Sequence, residues 1–78
     1  MLVITIEEYP SMPNRFHYSI GRNGKTQSLR KDAGCSAEAA AAIAVRLSME
    51  HVNEKYVIIA PRKVLDCIPE DIRRGEWK

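Results

Sequence analysis

Four side chains in this sequence belong to types that bind metal ions or act as nucleophiles, and they are Cys35, Cys67, His17 and His51. No two of them have the close spacing that is usual in structural zinc sites, so we predict no metal site. Cys35 comes just before a predicted helix, where the helix dipole can activate a thiol. Nothing in the sequence brings a histidine beside it, however, and we interpret it as a structural or incidental residue. No cofactor is expected.

The acidic residues offer no pair suited to acid–base catalysis. Glu7 and Glu8 are neighbours at the end of a predicted strand, where successive side chains point to opposite faces. Glu70 and Asp71 are explained by the electrostatics of a helix start. The segment Asn23-Gly24 lacks the spacing of a phosphate-binding loop. We therefore predict that the protein is not an enzyme.

The composition is that of one folded domain covering residues 1–78, with 45% hydrophobic and 28% charged residues. The net charge of +2 is too small to predict nucleic-acid binding, and it argues against a protein that imitates DNA through an acidic surface. No apolar run approaches the ~20 residues of a membrane span, and residues 1–8 lack the features of a signal peptide. We expect a cytoplasmic protein without a membrane partner.

The longest predicted element is an alanine-rich helix over residues 36–52. Ser36 is a favourable N-cap, and Glu38 places a negative charge near the positive end of the helix dipole. Alanine is the strongest helix former, and neither glycine nor proline interrupts the segment. The residues on its apolar face are Ala40, Ile43, Ala44 and Leu47. Because two of these are small, the helix should pack closely on a sheet.

Short alternating segments predict the strands of that sheet. They are residues 2–8, 16–21, 26–30, 56–60 and 63–68. Asn23-Gly24 is typical of a type I′ hairpin turn, residues 31–35 are interpreted as a connection, and Pro69–Asp71 is typical of a helix start. The predicted fold is α+β, in the order β-β-β-α-β-β followed by a short C-terminal helical turn. It is a small antiparallel sheet of about five strands, covered on one face by the helix.

The segment 56–60 is apolar on both faces and rich in β-branched residues. This pattern is typical of a central strand buried on two sides, or of a strand whose second face meets a partner. With one long helix to cover one face, the segment favours self-association or partner binding. Cys67, if exposed, could couple two monomers through an intermolecular disulfide, so a homodimer is among the predicted states.

The basic residues fall in predicted turns, loops and the tail, where small scaffolds usually carry their binding sites. Most such charges only solvate a surface, but clusters that share an edge could meet an acidic protein surface or phosphates. The candidate partner-binding residues are Arg22, Lys25, Arg30, Lys31, Arg62, Lys63, Arg73 and Arg74. We predict a binding module on this basis.

Several segments, taken in order, resemble a known family. They are Val3–Glu7 with the prolines that follow it, Arg22–Lys25, the alanine helix as far as Glu50, Tyr56–Ile58, Lys63–Leu65 and Ile68–Glu70. The chain resembles the small phage-encoded anti-CRISPR proteins directed at type I systems, most closely the fifth-named family of type I-F inhibitors. Cys35, the Arg62–Lys63 turn and the tail at 75–78 depart from the family pattern.

This resemblance implies a non-enzymatic inhibitor that acts in the cytosol of a bacterial host. Its partner would be the type I surveillance complex, bound through the Cas8-type subunit, with recruitment of the Cas3-type nuclease-helicase blocked. The departures leave open a type I-C complex as the target, or interference with target DNA binding. No direct contact with nucleic acid is expected, and no contact residues are implied.

Two other classes share the order of strands and helix. A HicB-like antitoxin or small nucleic-acid-binding regulator also combines strands, a hairpin and an alanine-rich helix. A double-stranded RNA-binding module is less favoured, because it expects lysine or arginine at the start of its last helix. Here the helix begins with Ser36, Ala37 and Glu38.

Overall fold

The computed structural model of the chain describes residues 2–22, 25–26, 30–50 and 54–73, with the backbone only for Lys25 and Thr26. Five strands and three helices lie within these ranges. In chain order they are β1 (Leu2–Glu8), β2 (Phe16–Arg22), β3 (Lys25–Thr26), β4 (Lys31–Asp32), α1 (Ala37–Glu50), β5 (Tyr56–Ile59), α2 (Arg62–Leu65) and α3 (Glu70–Arg73). The predicted α+β class is confirmed.

One mixed sheet contains these strands, and β1 lies between β2 and β5. β1 is antiparallel to β2 over all of its 7 residues. β5 runs parallel to β1, with Leu2 beside Tyr56 and Thr5 beside Ile59. The prediction of an antiparallel sheet is therefore wrong for this pair. A helix between two strands can return the chain to the sheet so that both strands run in the same direction. α1 is such a crossover, because it comes directly before β5.

The predicted strand over residues 63–68 is wrong, because this segment begins in helix α2 and continues into a turn. Pro61 precedes the helix with a φ of −59°, a value that its ring imposes and that suits a helix start. Val64, Ile68 and Ile72 are all buried, and each lies four positions from the next. Val64 lies in α2, Ile72 lies in α3, and Ile68 lies in the bend between the two helices. The predicted helix start at Pro69–Asp71 is confirmed by α3.

Two further assignments differ from the prediction. Lys31 and Asp32, predicted as a connection, form β4 and pair with β2. The segment at residues 56–60 gives β5 at an edge of the sheet, so the prediction of a central strand is wrong. The hairpin turn at 23–24 and most of the predicted third strand, at 27–29, lie outside the described residues, as do 51–53 and 74–78.

The core lies between the helices and one face of the sheet, which we call the inner face. From β1 and β5 this face contributes Leu2, Ile4, Ile6, Tyr56 and Ile58, each less than a tenth exposed. From α1 it is met by Ala40, Ala41, Ala44, Leu47 and Ser48, whereas Ile43 is only partly buried. The Ser36 hydroxyl oxygen accepts the Ala39 N–H at 3.1 Å, which confirms the predicted N-cap. Small side chains let α1 lie close to the sheet.

Candidate functional site

Half of the eight candidate basic residues are engaged in ion pairs within the protein. The pairs are Arg22–Glu54 at 2.7 Å, Lys63–Glu8 at 3.0 Å, Arg62–Asp66 at 3.2 Å and Arg73–Asp66 at 3.9 Å. Glu54 also raises the pKa of Arg22, mainly through its hydrogen bond to the guanidinium. Arg22 and Lys63 thereby connect distant elements of the fold, whereas the Arg62 side chain, paired within the end of α2, remains 88% exposed.

The other candidate cations are not brought to one place by the described chain. Arg30 and Lys31 are exposed beside and within β4, on the side of the sheet away from β5. No ion pair joins either of them to another described residue. Arg74 and the side chain of Lys25 lie outside the description. Of the candidate cations, Arg62 and Lys63 lie in α2, Arg73 lies in α3, Arg22 ends β2, and Arg30 and Lys31 lie at the β4 edge. Their role in partner binding stays a prediction.

Glu8 is an anchor that the sequence did not reveal. Its carboxylate accepts the backbone N–H of Asn14 at 2.6 Å and the ammonium group of Lys63 at 3.0 and 3.1 Å. Asn14 has a φ of +65°, a left-handed conformation that asparagine tolerates better than most residues. Glu8 thus ties the loop after β1 to helix α2. Because 55 positions separate Glu8 from Lys63, no local pattern could show the pair.

The contacts of Glu8 make part of the folding stability dependent on pH. Asn14 and then Lys63 lower the pKa of Glu8 below its ordinary value of 4.5. Such a carboxylate stabilises the fold above the unfolded-state pKa, and the contribution is lost as the pH falls through the folded-state pKa. We expect the wild type to have a higher free energy of unfolding than Glu8→Gln at pH 7. The difference should vanish as the pH falls below 4.5.

Urea unfolding of both proteins, followed by circular dichroism over this pH range, measures the difference. The matched control is Glu7→Gln, which removes the same charge from the exposed neighbour. At pH 7 its stability should lie within about 0.5 kcal/mol of the wild type. Equal stabilities of Glu8→Gln and the wild type at pH 7 would contradict the role assigned to Glu8.

The second face of the sheet is the one that the described helices leave uncovered, and we call it the outer face. It carries the side chains of Val3 and Thr5 from β1, and of Val57 and Ile59 from β5. Val57 lies beside Val3 and Ile59 beside Thr5. Val57 is 37% exposed and Ile59 54% exposed. Two β-branched apolar side chains therefore meet solvent at one edge of the sheet.

The middle of the outer face carries small side chains. Ser19 of β2 lies beside Thr5, and Gly21 lies beside Val3. A surface of this kind presents few protrusions to a flat or convex partner. The outer face therefore has an apolar edge, formed by Val57 and Ile59, next to a shallow polar centre.

The far corner of the outer face is closed by His17. Its ring packs against Tyr9, with 4.8 Å between the ring centroids, and the residue is 5% exposed. Asp32 of β4 lies beside it and pairs with Arg15 at 3.3 Å. His17 thus serves packing at this corner. Among the described residues no group of three histidine, cysteine or acidic side chains is placed to hold a metal ion.

Cys35 and Cys67 are both exposed free thiols. The Cys67 sulfur lies 3.4 Å from the Lys63 carbonyl oxygen, as a donor one turn along the chain. His51 lies outside the described residues, and the interpretation of Cys35 as a structural or incidental residue stays a prediction. The intermolecular disulfide through Cys67 is likewise a prediction, to which its exposure adds the required access.

Strand β5 was partly anticipated. Its alternating burial puts Tyr56 and Ile58 inside and leaves Val57 and Ile59 outside. Of the two interpretations of this segment, the buried central strand is wrong, and the strand whose second face meets a partner stays a prediction. The small residues at the centre of the outer face carried no signal in the sequence, because their shared position depends on strand register.

Comparison with known proteins assigns no family to this chain. No protein-family model matches the sequence, and no curated protein is significantly similar to it. The described helices include none that is long and apolar enough to cross a membrane. Any inference about function therefore rests on the fold and on the outer face.

Proposed function

We propose that this protein is a non-enzymatic inhibitor that binds a type I CRISPR surveillance complex through the outer face of its sheet. The observation that carries the binding surface is the exposure of Val57 and Ile59 beside Val3 and Thr5. Apolar side chains gain about 25 cal/mol for each Å² removed from water, so a partner that covers them gains affinity. Clustered apolar exposure marks interaction surfaces on small proteins.

The identity of the partner rests on the resemblance of the sequence to type I anti-CRISPR proteins. The proposed target is the Cas8-type subunit of a type I-F complex, or of a related type I-C complex. Binding there would block either nuclease-helicase recruitment or target DNA binding. The proposal places the protein in the cytosol of a bacterial host.

The distribution of charge favours a protein partner over the nucleic acid of the HicB-like alternative. A nucleic-acid-binding surface needs cations that are free to meet phosphates. Carboxylates within the fold pair with Arg22 and Lys63, and the single carboxylate of Asp66 is shared by Arg62 and Arg73, which reduces the positive charge open to phosphates. Arg30 and Lys31 are exposed at the opposite edge from β5, where they suit the polar rim of a protein interface.

A lysine substitution on the outer face and a matched lysine substitution elsewhere test whether this surface binds the partner. Ile59→Lys should weaken binding to purified type I-F or I-C complex at least about tenfold, since it places an ammonium group in an apolar contact. Met49→Lys is the control, because Met49 is 49% exposed, close to the 54% of Ile59, and lies on α1. Its binding should match the wild type. Equal loss in both variants, or in neither, would overturn the assignment of the surface.

The partner is tested with the wild-type protein alone. In a pull-down, capture of only the DNA-loaded complex would support blocked nuclease recruitment, and capture of only the empty complex would support blocked DNA binding. In a phage-plating assay, the protein should restore plaque formation on hosts with active type I-F or I-C immunity. Failure to bind either complex, together with no restored plating in either host, would overturn the proposed partner.

A further inference from the structure

We propose that residues 61–73, which we call the strap, open from the sheet as one unit while β1, β2 and α1 stay folded. The ion pair between Glu8 and Lys63, which we call the latch, holds the strap closed at its start. The inference stands on contacts within the chain and does not rest on the proposed function. It is drawn from the boundary at Pro61, from the hydrogen bonds of the strap and from its attachment to the core.

Pro61 separates the hydrogen bonds of the sheet from those of the strap. The parallel ladder between β1 and β5 ends at Ile59, and a proline has no N–H with which to extend a ladder. The Pro61 carbonyl oxygen instead accepts the N–H groups of Val64 and Leu65 at 2.9 and 3.0 Å. The last ladder pair and the first helical hydrogen bonds thus lie on opposite sides of Pro61, which is therefore the hinge of the strap.

The backbone hydrogen bonds described for the rest of the strap lie within it. They join Asp66 to Arg62, Cys67 to Val64, Ile68 to Leu65 and Arg73 to Pro69, with N to O distances of 2.9–3.0 Å. Helices α2 and α3 have 4 residues each, and helices of this length do not persist alone in water. These hydrogen bonds therefore break when the strap leaves the sheet, and amide exchange at residues 66–68 reports the opening.

Three buried side chains attach the strap to the core. Val64 is 0% exposed, Ile68 4% and Ile72 5%. They are three of the 15 buried apolar residues in the described part of the chain, and nine of the others lie in β1, β2 and α1. An opening that exposes a smaller part of the apolar core costs less free energy than global unfolding. The strap can therefore open before the sheet and α1 unfold.

Polar contacts fasten both ends of the strap. At its start, the Lys63 ammonium group lies 3.0 and 3.1 Å from the two Glu8 carboxylate oxygens and 6.0 Å from the centroid of the Phe16 ring. At its end, the Tyr56 hydroxyl donates to the Ile72 carbonyl oxygen at 2.9 Å, in a buried position. Water reaches the latch, because the side chains of Lys63 and Glu8 are 47% and 27% exposed. The latch is therefore the weaker fastening.

Opening of the strap removes support from the inner side of β5. This strand lies at an edge of the sheet, beside β1, and its inner residues Tyr56 and Ile58 belong to the same buried cluster as the apolar strap residues. With the strap open, β5 keeps its ladder with β1 but loses this packing. Val57 and Ile59 are carried by the same strand. The latch therefore sets how firmly the apolar edge of the outer face is held.

Native-state hydrogen exchange of the full chain, measured by NMR at low urea concentrations, tests the strap. After correction for intrinsic rates, the amides of residues 66–68 should exchange at least about tenfold faster than the slowest amides of β1. Their exchange should also depend less on urea, because the opening exposes less surface than global unfolding. Equal rates with equal urea dependence in the two groups would overturn the strap as a separate unit.

A substitution in α1 tests whether this helix stays folded when the strap opens. Ala42→Gly lies at an exposed position of α1 and weakens the helix through propensity alone. It should speed exchange of the slowest β1 amides about fivefold, because α1 unfolds in the global reaction. Exchange at residues 66–68 should stay at the wild-type rate. Equal acceleration in both groups would show that the strap does not open separately from α1.

Lys63→Met tests the latch. It removes a contact that is absent from both the open and the unfolded states, so it should speed exchange at residues 66–68 and in β1 by the same factor, about two- to fivefold. Lys31→Met is the matched control at the opposite edge of the sheet, and it should leave both rates unchanged. In a Glu8→Gln background, Lys63→Met should add no further acceleration. Unchanged exchange in Lys63→Met, or the same acceleration in the Glu8→Gln background, would overturn the latch.

Discussion

Replacing Phe16 with alanine is expected to remove a large part of the folding stability at 25 °C. Among the described residues, Phe16 is the largest of the fully buried side chains, and it is 0% exposed. Its position at the start of β2 places it beside Glu8, and the Lys63 nitrogen lies 6.0 Å from its ring centroid. Truncating a buried phenylalanine costs about 3–5 kcal/mol. At roughly 0.05–0.15 kcal/mol per residue, the whole domain has a stability of about 4–12 kcal/mol.

Urea unfolding monitored by far-ultraviolet circular dichroism measures this loss. Phe16→Leu is the matched control, because it keeps an apolar side chain in the cavity and should lose less stability than the alanine variant. If Phe16→Ala unfolds within about 1 kcal/mol of the wild type, Phe16 is not a central core residue. The result also bears on function. Phe16 packs in the core on the inner face of the sheet, and the other side of the same sheet is the outer face.

The elements that the sequence predicts well are those whose causes are local. Ser36 caps α1 in the structure through the hydrogen bond that its residue type suggests. The alternation in β1 and β2 places Ile4 and Ile6 inside and Thr5 outside, as a period of two requires. These features depend on neighbours within a few positions, so the sequence of one segment contains most of the information.

The error at residues 63–68 shows where a local pattern is ambiguous. Val64 and Ile68 are separated by four positions, a spacing that fits both alternate residues of a strand and one side of a helix. The next buried residue, Ile72, again lies four positions on, and this spacing also fits both structures, so it does not decide between them.

The candidate site was less predictable than the fold, because its geometry depends on distant pairs. Arg22 meets Glu54 across 32 positions, and Lys63 meets Glu8 across 55. Charges on predicted turns cannot show which of them will be paired in this way. The outer face required the parallel placement of β5 beside β1, which the sequence did not predict. The apolar segment of β5 nevertheless contained Val57 and Ile59, the exposed pair at the edge of the outer face.

Gly34→Ala should cost about 2–4 kcal/mol of stability, for two separate reasons. Gly34 has a φ of +92°, where an L side chain is strained. A Cβ at this position would also lie 2.7 Å from the Cβ of Ala39, in the first turn of α1. The backbone cannot move freely to relieve either effect, because the Gly34 carbonyl accepts the Phe16 N–H at 3.0 Å. Gly34 therefore joins the end of the sheet to the start of the helix.

A double-mutant cycle separates the contact with Ala39 from the backbone strain. Ala39→Gly alone should cost about 1 kcal/mol through helix propensity. In combination with Gly34→Ala it removes the Cβ that the new side chain meets, so the double variant should be more stable than the sum of the single losses predicts. A coupling of about 0.5–3 kcal/mol is expected for residues in contact. Additive losses would assign the whole cost of Gly34→Ala to its positive φ, since the strain remains when Ala39 is shortened.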